Sequence, residues 1–396
     1  MNKLEKFNVF SITLLLTITQ LLFNSKYIPI VCMLLLILCF ALNYKNNKAK
    51  INKALFCFII IGSIISILLP LYNPLFIKNI SSTLLVWGTI ILLFLIISTQ
   101  EKKEEIFLKV FKNFSYITIF LILYGLIVYY FGNKSMSYDP ISKSYVQELY
   151  IGGIRLIQSA VGDPKYGFLV GSLTGNANTL SSMSMFSLTY FLILDDSKKS
   201  KRLFKLIICI FGLIISGSRM GFILLLFILI FNFILKKIDF TNKKNALGLF
   251  FGFILIVFIL SINFNNIFSS VDLNGRNTMW EIGKNNIQLI GHGINSDNIF
   301  LNNYLNFNTS MHNSYISLLV NYGIILSSFV ILFFSITLIN SIRCCHIHNI
   351  NRFIVIVYMS LLIIGLSESV FFIFGFYNSI LFYILDYYYL NIRRLK

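Results

Sequence analysis

The sequence predicts an all-α integral membrane protein with about twelve transmembrane helices and two longer outer loops. Three observations predict it. Of the 396 residues, 57% are hydrophobic and only 12% are charged, more apolar surface than a soluble domain of this length can hide. The apolar residues come in runs of about 15 to 21 with few charges, the length a helix needs to cross roughly 30 Å of hydrocarbon. The runs are continuous and not alternating, which excludes strands as the main element, because an open sheet in lipid leaves its backbone unpaired.

The spans fall at about 7–23, 28–42, 54–71, 80–98, 114–131, 167–194, 203–216, 220–235, 246–263, 312–340, 353–369 and 370–390. The first is read as a retained span, since no small-residue cleavage site follows it. Residues 203–235 as one helix would be about 50 Å long at 1.5 Å per residue, too long for one crossing. A break at Ser216–Arg219, where Gly217 permits the turn, divides them into two short spans. The chain thus reads as a single polytopic domain, 1–396, with outer loops at about 132–166 and 264–311.

Charge sets the orientation. The net charge of +18 would suggest nucleic acid in a soluble protein, but here it sits in short loops between spans and no nucleic-acid partner is expected. With both termini inside, 24 of the 33 Lys and Arg fall on the cytoplasmic side, and losing the break at Ser216–Arg219 would spoil that bias. The expected location is the cytoplasmic membrane. Cys32, Cys39, Cys57 and Cys209 lie in apolar segments and Cys344 and Cys345 in a cytoplasmic loop, so no disulfide framework is expected.

Nine cations remain outside: Lys26, Lys78, Lys134, Lys143, Arg155, Lys165, Arg219, Arg276 and Lys284. The arginines matter most, because a guanidinium is always charged and grips phosphate with a planar fork. Such cations beside a bilayer suit a lipid-linked phosphate or pyrophosphate. Arg219 stands in "SGSRMGF", either as a snorkelling rim residue or as a site residue whose small neighbours admit a ligand. Arg276 shares a helix face with Trp280, which would anchor that helix at the lipid interface; the other reading is a solvated loop arginine.

His312 opens the tenth span, either as a hydrogen-bonded structural residue or as a base, with Asn313 beside it to orient it or to bind sugar hydroxyls. Arg155 lies upstream of "GSLTGNANTL", where Asn176 and Asn178 mark a broken helix or re-entrant turn whose glycines would let N–H groups face an anion. Glu368, at the outer end of a span, is placed to pair with an arginine or act as a base. His346 and His348 form an H-x-H pair too short to wrap an ion, so no metal or other cofactor is expected.

Taken in order, "GSLTGNANTL", "SGSRMGF", "NGRNTMW", "GHGINSDNIF" and "HNSYISLLVNYG" resemble the O-antigen ligase and Wzy polymerase superfamily, from about Arg155 to Gly323. "GNAN" departs from that family's Asn-Pro-Asn by Ala177. The resemblance implies a GT-C-like, metal-independent membrane glycosyltransferase acting on undecaprenyl-pyrophosphate-linked glycans at the outer face. Carried over, Arg219 and Arg276 would hold the donor pyrophosphate, His312 would work at the acceptor hydroxyl, and Arg155 would assist at the anion. A flippase and a chain-length regulator are expected partners.

The long apolar chain and modest outer loops favour a polymerase, with transfer to a different acceptor by a ligase as the alternative. A lipid-linked oligosaccharide transporter is a further reading, against which stand the lack of an evident internal repeat and of clear mid-span charge. A membrane scaffold would leave the arginines and His312 unexplained.

Overall fold

The computed structural model describes residues 3–18, 28–46, 53–72, 80–100, 103–133, 135–139, 144–163, 167–174, 176–268, 276–305, 311–345 and 349–368. The twelfth expected span, the H-x-H pair, and Lys26, Lys78, Lys134, Lys143 and Lys165 lie outside them. The chain forms two compact units, one of residues 1–35 and 102–234, the other of 36–101 and 235–396.

Among the described residues, three helices are long and apolar enough to cross a membrane: Glu104–Phe131, Met220–Lys237 and Ser314–Cys344. Expected spans at 28–42, 54–71 and 80–98 fall within the helices α2 (Ile28–Asn46), α3 (Lys53–Tyr72) and α4 (Ile80–Thr99).

The first unit is built on α6 (Ala177–Ile193), which is buried on nearly every face. Its serines let neighbours approach. Ser184 lies against Gly212 of α7 (Lys199–Ser216), and Ser181 against Gly221 of α8 (Arg219–Lys237). Small residues at helix contacts are the usual device where lipid removes the hydrophobic drive between helices. Phe111 and Phe114 of α5 (Lys103–Phe131) meet the edge of Phe186 at 5.5 and 5.2 Å. The remaining helix of this unit's N-terminal segment, α1 (Lys3–Ile18), packs on α5. The expected break between the seventh and eighth spans is present. Here α7 ends at Ser216, Gly217 takes the left-handed conformation at φ 56°, and α8 starts at Arg219.

Three expectations are corrected here. The first outer loop is not structureless. It carries a four-stranded antiparallel sheet, β1 (Met136–Asp139), β2 (Ser144–Ile151), β3 (Ile154–Asp163) and β4 (Gly167–Ser172), in order β1-β2-β3-β4. Gly152 and Gly153, at φ 55° and 82°, make the two-residue turn between β2 and β3. The sixth span therefore does not begin at residue 167, because that backbone is paired with β3. Nor is "GNAN" a re-entrant turn: the Asn176 side chain accepts the Thr179 N–H at 2.8 Å and caps α6.

In the second unit, α9 (Lys243–Phe268), α12 (Ser314–Cys344) and α13 (Asn349–Ile364) pack together, with the short α10 (Arg276–Asn285) and α11 (Ser296–Leu305) set within the second outer loop. Phe251, Leu255 and Phe258 on α9 and Ile325, Phe329 and Leu332 on α12 are exposed, as suits a lipid-facing surface.

The expected tenth span is one helix by sequence but is kinked at Gly323, whose φ 72° and ψ 176° are open to glycine alone. The segment before α11 docks into the kink: Gly293 N–H donates to Asn321 O at 2.8 Å and Ile324 N–H to Gln288 O at 3.0 Å. A Cβ on Gly323 would collide with the backbone of Leu289–Gly291. Gly323→Ala is therefore expected to lower the thermal unfolding midpoint in detergent, by strain of about 1–3 kcal/mol plus the collision. Gly248, with open space around it, gives the control: Gly248→Ala should leave the midpoint unchanged or raise it.

Candidate functional site

Three segments far apart in sequence converge in the second unit. First, α10 contributes Arg276 from its first turn, the N-terminus of α12 contributes His312, and the turn after α13 contributes Glu368. Glu368 stands between the other two. Its Oε1 lies 3.5 Å from Arg276 Nη2 and its Oε2 lies 3.4 Å from His312 Nδ1. Arg276 Nη1 also donates to Ser367 O at 3.1 Å. The side chains keep 19%, 14% and 30% of their exposure for Arg276, Glu368 and His312, so the cluster is sheltered yet open to a ligand.

The backbone around His312 explains its placement. His312 itself takes φ 47°, a left-handed conformation that turns the chain sharply into α12. Asn313 then caps the helix, its Oδ1 accepting the N–H groups of Tyr315 and Ile316 at 3.0 and 3.1 Å, while its Nδ2 donates to Leu366 O. Both ends of that amide are engaged, so Asn313 caps α12 and ties it to the turn that carries Glu368. Ser314 adds two ties to the Glu368 turn, its N–H to Gly365 O at 2.7 Å and its Oγ to Glu368 O at 2.7 Å. Sequence reasoning passed over Ser314 and Ser367, since neither residue type signals the role. The capped N-terminal end of α12 adds partial positive charge beside His312.

Arg276 and Trp280 share one face of α10, as the spacing predicts, but Trp280 is buried and donates its Nε1–H to Met311 O at 3.0 Å. It holds the chain leading to His312 and is not a lipid-interface anchor. Trp280, Asn313, Tyr315, Ile316 and Leu366, with Lys284 and three residues of α9, line an apolar cavity of about 410 Å³ that borders the cluster.

Arg155 behaves differently from the expectation. On β3, its Nη1 meets Asp139 Oδ1 at 3.0 Å and its Nη2 meets Glu148 Oε1 at 2.6 Å. The guanidinium, followed by the Ser137 hydroxyl, holds the Glu148 carboxyl below the usual carboxylate range. Two protein carboxylates occupy the fork that an anion would need. Asn176 is the α6 cap described above, and Asn178 lies in the first turn of the same helix. Arg219 heads α8 directly after the Gly217 turn.

Behind His312, "GHGINSDNIF" supplies a buried support. Asp297 accepts a hydrogen bond from the Ser317 hydroxyl, and Asn321 Oδ1 accepts from Ser296 Oγ and the Asp297 N–H. Burial pushes the Asp297 carboxyl above its ordinary range, against the opposing pull of the Ser317 hydroxyl. A raised native pKa means stability is complete below the unfolded value of about 3.9 and falls as pH rises above it. Asp297→Asn should therefore gain thermal stability relative to the parent between pH 4 and pH 7, measured as the difference in unfolding midpoints.

The fold and site define a helical membrane protein with a sheltered arginine–carboxylate–imidazole cluster beside an apolar cavity. Residues 204–334 match a family model described as O-antigen ligase, which supports the likeness to the O-antigen ligase/Wzy-like superfamily. The match includes Arg219, Arg276, His312 and Asn313, and ends before Glu368. No curated protein matches the chain. The family match supports a membrane enzyme of the ligase or polymerase type.

Proposed function

We propose that the chain is a Wzy-type polymerase that transfers an undecaprenyl-pyrophosphate-linked glycan onto a lipid-linked repeat unit at the outer face of the cytoplasmic membrane. The observation that carries this reading is the bridge from Arg276 through Glu368 to His312. The acceptor hydroxyl oxygen attacks the anomeric carbon of the donor, and the bond from that carbon to the pyrophosphate oxygen breaks. The pyrophosphate leaves with the electron pair, and the hydroxyl proton passes to His312 Nε2, which has no hydrogen-bond partner among the described residues. Glu368 holds Nδ1 and offsets the charge of the imidazolium that forms.

Arg276 balances the charge growing on the leaving group, and Arg219 keeps the pyrophosphate-binding role that the family resemblance implies. The apolar cavity beside Trp280 takes the first isoprene units of a lipid substrate. One direct displacement inverts the anomeric centre. Arg155, already matched by Asp139 and Glu148, is assigned to holding the sheet together.

The family description favours a second reading, transfer to a different acceptor by a ligase. Reconstitution of the full chain in liposomes with a lipid-linked oligosaccharide separates the two. Products growing in multiples of the repeat, without any other acceptor, support the polymerase. Transfer that needs an added non-polyprenyl acceptor supports the ligase, and no transfer under either condition overturns both.

A further inference from the structure

In the first unit, α1 and α5 enclose a groove of about 750 Å³ that the chemistry above does not use. Its chemistry is graded along its length. Lys6 lies in the first turn of α1 and Lys109 and Lys112 in the second and third turns of α5, while Val9, Phe10, Leu14 and Ile117 form the apolar walls, with Thr17, Asn113 and Tyr116 also lining the groove. In the span order expected from the sequence, α1 and α5 run in the same direction, which puts the lysines at one end, where the first and fifth expected spans enter the hydrocarbon.

Lys109 is matched by Glu105 at 2.9 Å, while Lys6 and Lys112 have no carboxylate partner among the described residues. A second observation comes from inside the groove. Thr13 lines it, is 95% buried, and its hydroxyl has no hydrogen-bond partner among the described residues. Thr13 lies two turns beyond Lys6, about 10 Å along the helix axis. An unsatisfied buried hydroxyl is costly unless something supplies a partner.

We propose that this groove binds an anionic glycerophospholipid. The phosphate sits between Lys6 and Lys112, an ester oxygen accepts from the Thr13 hydroxyl, and one acyl chain lies along Phe10, Leu14 and Ile117. A free phosphate ion would satisfy the lysines but leave the apolar walls and Thr13 unoccupied. A neutral phospholipid would satisfy the walls but not the excess positive charge. A basic pocket between helices at the membrane edge is a recognised form of acidic-headgroup site. With the orientation expected from the loop charges, this site faces the cytoplasmic leaflet.

The test uses the full chain purified in mild detergent and offered phosphatidylglycerol or phosphatidylcholine, with retained lipid counted by native mass spectrometry. Phosphatidylglycerol should be retained over phosphatidylcholine, and a Lys6→Gln/Lys112→Gln double variant should weaken its retention roughly thirty-fold, the weight of two basic residues at an acidic headgroup. Leu14→Trp, which keeps the lysines but fills the groove, should also abolish retention. Millimolar inorganic phosphate should leave the bound lipid in place. Equal retention of both lipids, full retention in the double variant, or displacement by inorganic phosphate would each overturn the proposal. Because the readout is bound lipid and not glycan transfer, its outcome stands apart from that of the proposed reaction.

Discussion

His312→Ala is expected to lower glycan transfer by at least about 10²-fold while donor binding stays close to that of the parent. The reason is positional. The imidazole stands at the N-terminus of α12, its Nδ1 directed at Glu368, and its side chain adds little to packing at 30% exposure. Truncation therefore removes a proton acceptor without disturbing the Asn313 cap or the ties from Ser314 to the Glu368 turn. Glu368→Gln makes the companion measurement, because the amide keeps the shape but cannot offset a charged imidazolium. It should lower turnover less than His312→Ala does and shift the pH dependence of the rate. Transfer at the parental rate by His312→Ala in liposomes would remove the imidazole from the mechanism.

Arg276→Ala should abolish detectable polymer, a loss of about 10²–10³-fold in turnover, while the protein still inserts and folds. The Arg276 fork reaches the Ser367 carbonyl with Nη1 and Glu368 with Nη2, so it is held on the turn that also meets His312. Arg276→Lys should not restore activity, because an ammonium cannot hold those two groups and a pyrophosphate oxygen together. Arg219→Ala should behave in the same way if the head of α8 supplies the second clamp. Normal polymer from both alanine variants would end the proposed role of these arginines in holding pyrophosphate. An unfolding midpoint unchanged from the parent would show that lost activity reflects chemistry and not collapse.

The helices, and the residues Arg276, His312 and Glu368 that the fold brings together, were legible in the sequence because their signals are local. A run of apolar residues states its own length, and Arg276 with Trp280 states its own helix face. Glu368 was legible as an acid at the outer end of a span, yet its position between Arg276 and His312 depends on the fold. The sheet was missed for a different reason. "SYVQELYIGGIRLIQSAV" carries a Gly-Gly turn between strand-forming residues, a short signal beside the long apolar runs that flank it.

Arg155 was misjudged through the same omission, since Asp139 and Glu148, 16 and 7 residues away, come beside it only through strand register. The kink in α12 had no proline to announce it. It needs Gly323 and the docking of a distant segment, and no local pattern records both. Trp280 was misplaced because an aromatic residue near a membrane edge serves equally well as an anchor or as packing.

Glu368 lies far along the chain, after α13, whereas Arg276 and His312 lie before and at the start of α12. During synthesis, the arginine and the imidazole emerge from the ribosome well ahead of the carboxylate that joins them. The translocon can seat α12 while the centre is still chemically inert. On the proposed mechanism, competence arrives only once α13 has been threaded and its following turn has folded back, and a chain terminated before Glu368 is expected to insert but stay silent.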